Sequence, residues 1–280
     1  MTIKTQYRFF LQKLQAIYNM NEAGIVTSWV FEKLANITKA DLVSKPEQEI
    51  EATILTKLNE ALAALLLHQP IQYVTGEAWF YRMKLKVNPH VLIPRPETEE
   101  LVEWVSEHIA ADCSLLDIGT GSGCIAIALK KNKPAIVVTA IDVSSGALLV
   151  AKENAAEQAT PIEFLPVDFL DEASWVNLPV FDIIVSNPPY IPVAEKEKMD
   201  ANVTGYEPHQ ALFVPNNTPL LFYQKIANFG LAHLKPGGKI FMETHEDFAK
   251  ETAALFTPHY KAVLIKKDLF GKERMVMASY

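Results

Sequence analysis

The sequence predicts an α/β fold: a mostly parallel sheet with helices on both faces, preceded by a helical N-terminal segment. Three observations predict it. From about residue 114 onward, strand-like and helix-like stretches alternate as in β-α-β units. Two of the strands end in unusual turns, Gly119-Thr120-Gly121-Ser122-Gly123 after one and Asn187-Pro188-Pro189-Tyr190 after another. Before residue 70, by contrast, apolar residues recur at helical spacing.

Composition bounds the function. The chain has 280 residues, room for one large domain or a domain with an accessory module. Its 49% hydrophobic and 21% charged content suits a globular protein with a real core. Lys+Arg 26 against Asp+Glu 33 leaves a net charge of −7, which argues against a broad electrostatic footprint for nucleic acid. Cys113 and Cys124 have neither metal-ligand spacing nor the numbers for a disulfide framework. Lys4, Arg8 and Lys13 interrupt the first twenty residues, so no signal peptide is expected. The most apolar run, Ala61 to Leu67, is too short for a bilayer. A cytoplasmic protein without a metal or membrane partner is the expectation.

In chain order, Phe9, Phe10, Leu14 and Ile17, then Val26, Val30 and Leu34, then Ile54, Leu58, Leu62 and Leu65 mark helices, with starts expected at Asn21 and Ser44. Residues 1–75 form a helical recognition domain on this reading. Alternation of Trp79, Tyr81, Met83, Leu85 and Val87 on one face predicts a hairpin linker over 76–96. Thr98, with acidic neighbours, is read as opening a helix through about Ile109. The α/β domain then occupies 97–280. Its strands are expected at Ser114–Ile118, Ile136–Ile141, Ile162–Pro166, Ile183–Val185, Lys239–Glu243, Ala262–Lys266 and Arg274–Ser279, the last two pairing antiparallel because no helix separates them.

The stretch Leu115 to Gly123 runs from an apolar strand through glycines into a helix, the place where α/β sheets bind nucleotide-like ligands. A dinucleotide fingerprint would need Gly or Ala at position 124, but Cys124 stands there, so a dehydrogenase is disfavoured. Asp142, at the end of the next strand, can accept from ribose hydroxyls, and Asp168-Phe169, one strand further, offer an acceptor and a flat apolar face for an adenine ring. Gly119, Thr120, Gly121, Ser122, Gly123, Asp142, Asp168 and Phe169 are therefore the candidate cofactor residues, with Asn187 beside them. In Asn187-Pro188-Pro189-Tyr190 both prolines lack an N–H and hold the chain extended. The Asn187 side-chain oxygen and the Pro188 carbonyl are left as neighbouring acceptors that suit a planar –NH2 group, an amide or an exocyclic base amine. Asn187, Pro188 and Tyr190 are the catalytic candidates, and Pro189 joins them in holding substrate.

Together these residues resemble the class I S-adenosylmethionine-dependent methyltransferases. More closely, the chain resembles the release-factor glutamine methyltransferases (HemK/PrmC family). The resemblance is carried by Ile93-Pro94-Arg95-Pro96-Glu97-Thr98-Glu99, Asp117 to Gly123, Asn187 to Pro192, Tyr206-Glu207-Pro208, and Leu234-Lys235-Pro236-Gly237-Gly238. It implies a seven-stranded, Rossmann-like sheet with the last strand antiparallel and S-adenosylmethionine as cofactor. The implied substrate is the glutamine of the Gly-Gly-Gln loop of a class I peptide chain release factor, methylated at N5. The N-P-P-Y turn is also shared by methyltransferases acting on adenine or guanine of nucleic acid, and a glutamine of a ribosomal protein is a further alternative. Phe169 stands where the family often has Trp, and His245 and Asp247 stand where it usually has Gly and Gln. Glu243 is a strand-end acid at the same sheet edge.

Overall fold

A computed structural model describes residues 1–280, which fall into two compact units, Met1–Glu77 with Asp200–Tyr206, and Ala78–Met199 with Glu207–Tyr280. The first unit is helical: α1 (Ile3–Leu14), α2 (Met20–Ala35), α3 (Lys39–Ser44), α4 (Ala52–Leu66) and α5 (Ile71–Thr75). Phe10, Leu14, Val30, Phe31, Leu58 and Leu65 are fully buried at its centre, and Phe31 meets both Tyr7 and Phe10 edge-on. Each such side chain contributes about 1.5–3 kcal/mol by leaving water.

Two helix starts differ from the expected ones. Asn19, not Asn21, caps α2 by accepting from the Glu22 N–H. Ser44 ends a helix rather than opening one, because Pro46 disfavours helical geometry just before it. α4 waits until Ala52.

A hairpin follows, β1 (Glu77–Phe80) and β2 (Met83–Lys86), and all of it from Ala78 onward belongs to the second unit. Its two-residue turn places Tyr81 and Arg82 at positive φ. That turn changes which positions face inward. Met83, Leu85 and Val87 are buried as the alternation predicts, but on the first arm Ala78 and Phe80 go inside and Trp79 stays 57% exposed.

After α6 (Pro96–Ser106) come β3 (Ser114–Ile118), α7 (Cys124–Asn132), β4 (Val137–Asp142), α8 (Ser145–Glu157), β5 (Glu163–Pro166) and β6 (Phe181–Ser186). The short β7 (Ile191–Pro192) and β8 (Phe213–Val214) pair with each other, with α10 (His209–Leu212) before the latter; α9 (Ala201–Tyr206) belongs to the helical unit. α11 (Leu221–His233), β9 (Leu234–Glu243), α12 (Ala249–Phe256), β10 (Ala262–Lys267) and β11 (Glu273–Ser279) close the chain.

The main sheet has seven strands in the order β10-β11-β9-β6-β3-β4-β5, with β11 antiparallel to both its neighbours. This is the expected class I methyltransferase architecture. Strands of such a sheet are covered on both faces and read as continuous apolar runs. In β6, Ile183 and Val185 enter one core with Leu115 and Phe241, and Ile184 enters the other with Leu116 and Tyr223. Lys235-Pro236-Gly237-Gly238 lies within β9, where pairing jumps from Phe181↔Leu234 to Ile183↔Lys239. The chain after β3 proceeds to β4 and β5 on one side, then returns to lay β6 on the other. The strand order thus reverses at β3 and β6, where α/β sheets open a crevice at their carboxyl ends.

Candidate active site

Register brings the two turns together. Ile118 pairs with Ser186, and Ser186 pairs in turn with Met242. The residues that follow, Gly119, Asn187 and Glu243, must therefore emerge side by side. The Ser186 hydroxyl donates to the Ile118 carbonyl at 2.8 Å and ties the two strand ends. Above them lies a cavity of about 350 Å3, lined by Gly119, Thr120, Gly121, Ser122, Asp142, Asp168, Phe169, Asn187, Pro188 and Pro189 among others. Its size suits a small organic ligand.

The glycine turn is held by its own main chain. The N–H groups of Gly119 and Thr120 both donate to the Ile141 carbonyl, at 2.9 and 3.0 Å, and Gly123 N–H donates to the Thr120 carbonyl. Gly121 N–H donates to Asp142 Oδ2 at 2.9 Å. Four amides are thus committed internally, so the turn is no phosphate cradle, in keeping with the missing dinucleotide fingerprint. Gly119 and Gly121 have φ of +72 and +55, and a Cβ on either would meet nothing within 4 Å. Glycine is needed there for the backbone and leaves open room in front of the turn. Gly123 does not line the cavity; a Cβ there would lie 3.1 Å from Ile127 and 3.2 Å from Ala151, so it serves the packing of α7 on α8.

Beneath the turn, Asp117 is fully buried and accepts from the Thr120 hydroxyl at 2.7 Å, while its Oδ1 has no partner. Burial pushes its carboxyl up to about 7. Asp142 also accepts from the Ser144 N–H at 2.9 Å, so both its oxygens already serve the backbone. Each retains a second lone pair for a ligand hydroxyl. Burial raises its carboxyl above the ordinary range, against the lowering effect of those N–H donors.

Phe169 differs from expectation. It is 5% exposed and stacks on Trp175 at 5.2 Å, with Phe229 at its edge. Its ring is largely committed to the core, and Trp175 is pinned there by donating to the Phe169 carbonyl at 3.0 Å. Asp168 is exposed at the rim and caps Leu170.

At the other end, no protein donor reaches the Asn187 side-chain oxygen or the Pro188 carbonyl. Asn187 Nδ2 donates to the Thr98 hydroxyl at 3.1 Å, and Thr98 donates to Glu243 Oε2 at 2.7 Å. Tyr190 does not line the cavity. It stands behind, its hydroxyl donating to Glu243 Oε1 at 3.2 Å. Burial and the neighbouring Glu243 raise the Tyr190 hydroxyl well above its ordinary value, so it stays protonated.

Thr98 is the residue that pattern reading misplaced. α6 begins at Pro96, with Arg95 at its cap position and no side-chain cap bond. Thr98 is inside the helix, 2% exposed, and points at Glu243. Proline at the first helical position was the available signal. Glu207 was also missed as a site element: it is 4% exposed and accepts from the Ile93 N–H at 3.1 Å and from Arg95 at 2.6 Å. It fixes the segment that carries Arg95 to the cavity wall.

Comparison with known proteins decides the family. A family model described as the PrmC N-terminal domain matches residues 7–76, and one described as the methyltransferase small domain matches 96–204. A release factor glutamine methyltransferase of Flavobacterium psychrophilum is 40% identical over 100% of both chains. The chain belongs to the release factor glutamine methyltransferase family. Another member, from Streptococcus pneumoniae, is 42% identical over 94% of each chain. Among solved structures, a methyltransferase from Pyrococcus furiosus shares the fold at a TM-score of 0.51 and 19% identity, covering 70% of this chain and 87% of its own. No helix is long and apolar enough to cross a membrane.

Proposed function

We propose that this chain is a cytoplasmic enzyme that methylates N5 of the glutamine in the Gly-Gly-Gln loop of a class I peptide chain release factor, with S-adenosylmethionine as donor. The observation that carries the reading is the pair of acceptors, Asn187 Oδ1 and the Pro188 carbonyl, left without protein donors at one end of a cavity whose other end is a glycine turn.

The cavity suits such a donor. Its ionisable lining includes Asp142 and Asp168 against Arg95, and Arg95 is already paired with Glu207. A positively charged ligand is therefore favoured over a phosphate. Asp142 offers its spare lone pairs to ribose hydroxyls, the turn from Gly119 to Ser122 offers backbone shape, and Asp168 offers an acceptor at the rim. When bound, S-adenosylmethionine supplies a methyl group activated by a positive sulfur.

The chain's own task is to make an amide nitrogen usable. Its lone pair is spread into the carbonyl, so it is a weak nucleophile. Asn187 and Pro188 would each accept one amide N–H, fixing the –NH2 plane and favouring the positive charge that nitrogen gains. A neutral hydrogen bond supplies only about 1 kcal/mol net, whereas holding two reactants in line supplies roughly 7–11 kcal/mol. Positioning dominates, and no dedicated base is needed, because the alkylated nitrogen is acidic and releases its surplus proton to water. Pro189 lines the acceptor end. We assign recognition of the release factor to the helical unit, whose residues 7–76 match the PrmC N-terminal domain.

A base amine would fit the same two acceptors, but it would require the base to be flipped out of its stack, and an acidic chain of charge −7 is poorly suited to that partner. Radiolabelled methyl transfer from S-adenosylmethionine to purified release factor, and separately to bulk DNA and RNA, tests the proposal. Label is expected on the release factor and lost when its Gly-Gly-Gln glutamine is replaced. Label on nucleic acid alone would refute it.

A further inference from the structure

We infer that Thr98 and Glu243 are positioning residues that set which face of the Asn187 amide looks into the cavity. This rests on the glutamine-methyltransferase reading above.

An asparagine amide has two faces of nearly equal shape and opposite chemistry, one accepting and one donating. Only the accepting face can hold a substrate –NH2. Nothing in the turn Asn187-Pro188-Pro189 makes that choice, because neither proline has an N–H to offer. The choice is made by a chain of hydrogen bonds with a fixed direction. Glu243 is 2% exposed, and one of its oxygens receives the Thr98 hydroxyl while the other receives the Tyr190 hydroxyl. Thr98 has one proton and gives it to Glu243, so toward Asn187 it can only accept. It therefore selects Nδ2, at 3.1 Å, and Oδ1 is turned the other way. Reversing Asn187 would set Oδ1 against the Thr98 oxygen, two acceptors with no proton between them. It would also aim two donor hydrogens at the substrate's own donors.

Burial raises the Glu243 carboxyl above its ordinary range, although the Thr98 and Tyr190 donors and Arg274 work the other way. Both oxygens face donors, and that arrangement holds the carboxyl as a pure acceptor. Arg274 is kept in place by Asp268 and Glu246. The acceptor character passes along the chain as well: a hydroxyl that donates to a carboxylate is a better acceptor, and hydrogen bonds in series polarise one another. Asn187 Oδ1 is correspondingly a stronger acceptor for the substrate amide.

The test compares Thr98→Val, Thr98→Ser and Glu243→Gln in the full-length chain, with kcat, release-factor KM, cofactor Kd and Tm measured for each. Valine keeps the shape of threonine and loses the hydroxyl; serine keeps the hydroxyl. Thr98→Val should lower kcat about 10–100-fold, by analogy with the partners that orient metal-binding side chains, with cofactor Kd and Tm close to wild type. Thr98→Ser should recover most of that loss. Glutamine at 243 must present a donor to Thr98 or to Tyr190, so Glu243→Gln should fall in kcat as well. The double variant Thr98→Val/Glu243→Gln should be little worse than Thr98→Val alone, since both break one chain.

Wild-type kcat in a folded Thr98→Val, or Thr98→Ser as slow as Thr98→Val, would overturn the inference. If Thr98→Val does not fold, Thr98→Ala takes its place: undiminished kcat at unchanged Tm has the same force. A wild-type enzyme that leaves release factor unlabelled would instead bring down the functional reading, and this inference with it.

Discussion

At one end of the cavity, the turn from Gly119 to Gly123 is held by main-chain groups, its amides donating to Ile141, Asp142 and Thr120. At the other end, Asn187 is held by side chains alone. Its partner Thr98 lies 89 residues earlier, and Thr98 in turn reaches Glu243, 145 residues after itself. The first arrangement sets a shape, and a shape serves binding. The second sets a direction of hydrogen bonding, and direction serves a reaction in which the substrate's donors must meet acceptors. The two ends should therefore fail differently when altered: damage at the glycine end should appear in cofactor affinity and stability, and damage at the Asn187 end in turnover.

The largest effect should come from Asn187→Ala. Removing a group aimed at developing charge costs about 10²–10³ in kcat, and cofactor affinity by calorimetry should change only modestly. Turnover near wild type would end the division between the two ends at once.

Gly123→Ala comes next. Its φ is +81, and the added Cβ would crowd Ile127 and Ala151. A loss of about 1–3 kcal/mol in stability is expected, seen as a lower Tm with weaker cofactor binding. A variant as stable as wild type would show that the turn tolerates a side chain.

Asp142→Asn should be smaller again. One amide oxygen cannot replace two carboxylate oxygens, so either the Gly121 or the Ser144 N–H loses its acceptor. Cofactor Kd should rise about tenfold, matching roughly 1–3 kcal/mol for an unsatisfied buried group, with kcat at saturating cofactor preserved. An unchanged Kd would remove Asp142 from the binding end.

The last effect concerns pH rather than cofactor or turnover. Asp117 titrates near 7 in the folded chain against 3.8 for the free acid. The folded state thus holds this proton more tightly than the unfolded one. Its contribution to stability is full below about pH 4 and is lost as pH rises through about 7. Asp117→Asn should remove that slope, which denaturant melts of the cofactor-free protein between pH 4 and 8 would measure. Parallel curves for wild type and variant would contradict the burial of this charge.

Both turns were visible as motifs because their chemistry is local: glycines at positive φ and prolines without an N–H declare themselves by residue type. The strands were visible for a similar reason, since a sheet covered on both faces needs unbroken apolar runs such as Leu115-Leu116 and Ile183-Ile184-Val185. Misreadings arose where a side chain's partner was remote. Thr98 looked like a cap beside acidic residues, yet it serves a strand end 145 positions on. Phe169 looked like a free aromatic face until the following loop laid Trp175 against it. Tyr190 looked like a catalytic candidate, but Glu243 draws its hydroxyl behind the cavity.

Residue type and spacing were enough to settle the architecture, the family resemblance and the pair of strand ends where the site had to lie, because periodicity and turn chemistry act over a few neighbours. Which lone pair of Asn187 faces the cavity, and which oxygens of Asp142 are already occupied, was settled only by packing the sheet. A hydrogen bond's direction depends on the partner's protons, and here those partners are delivered by strand order rather than by sequence proximity.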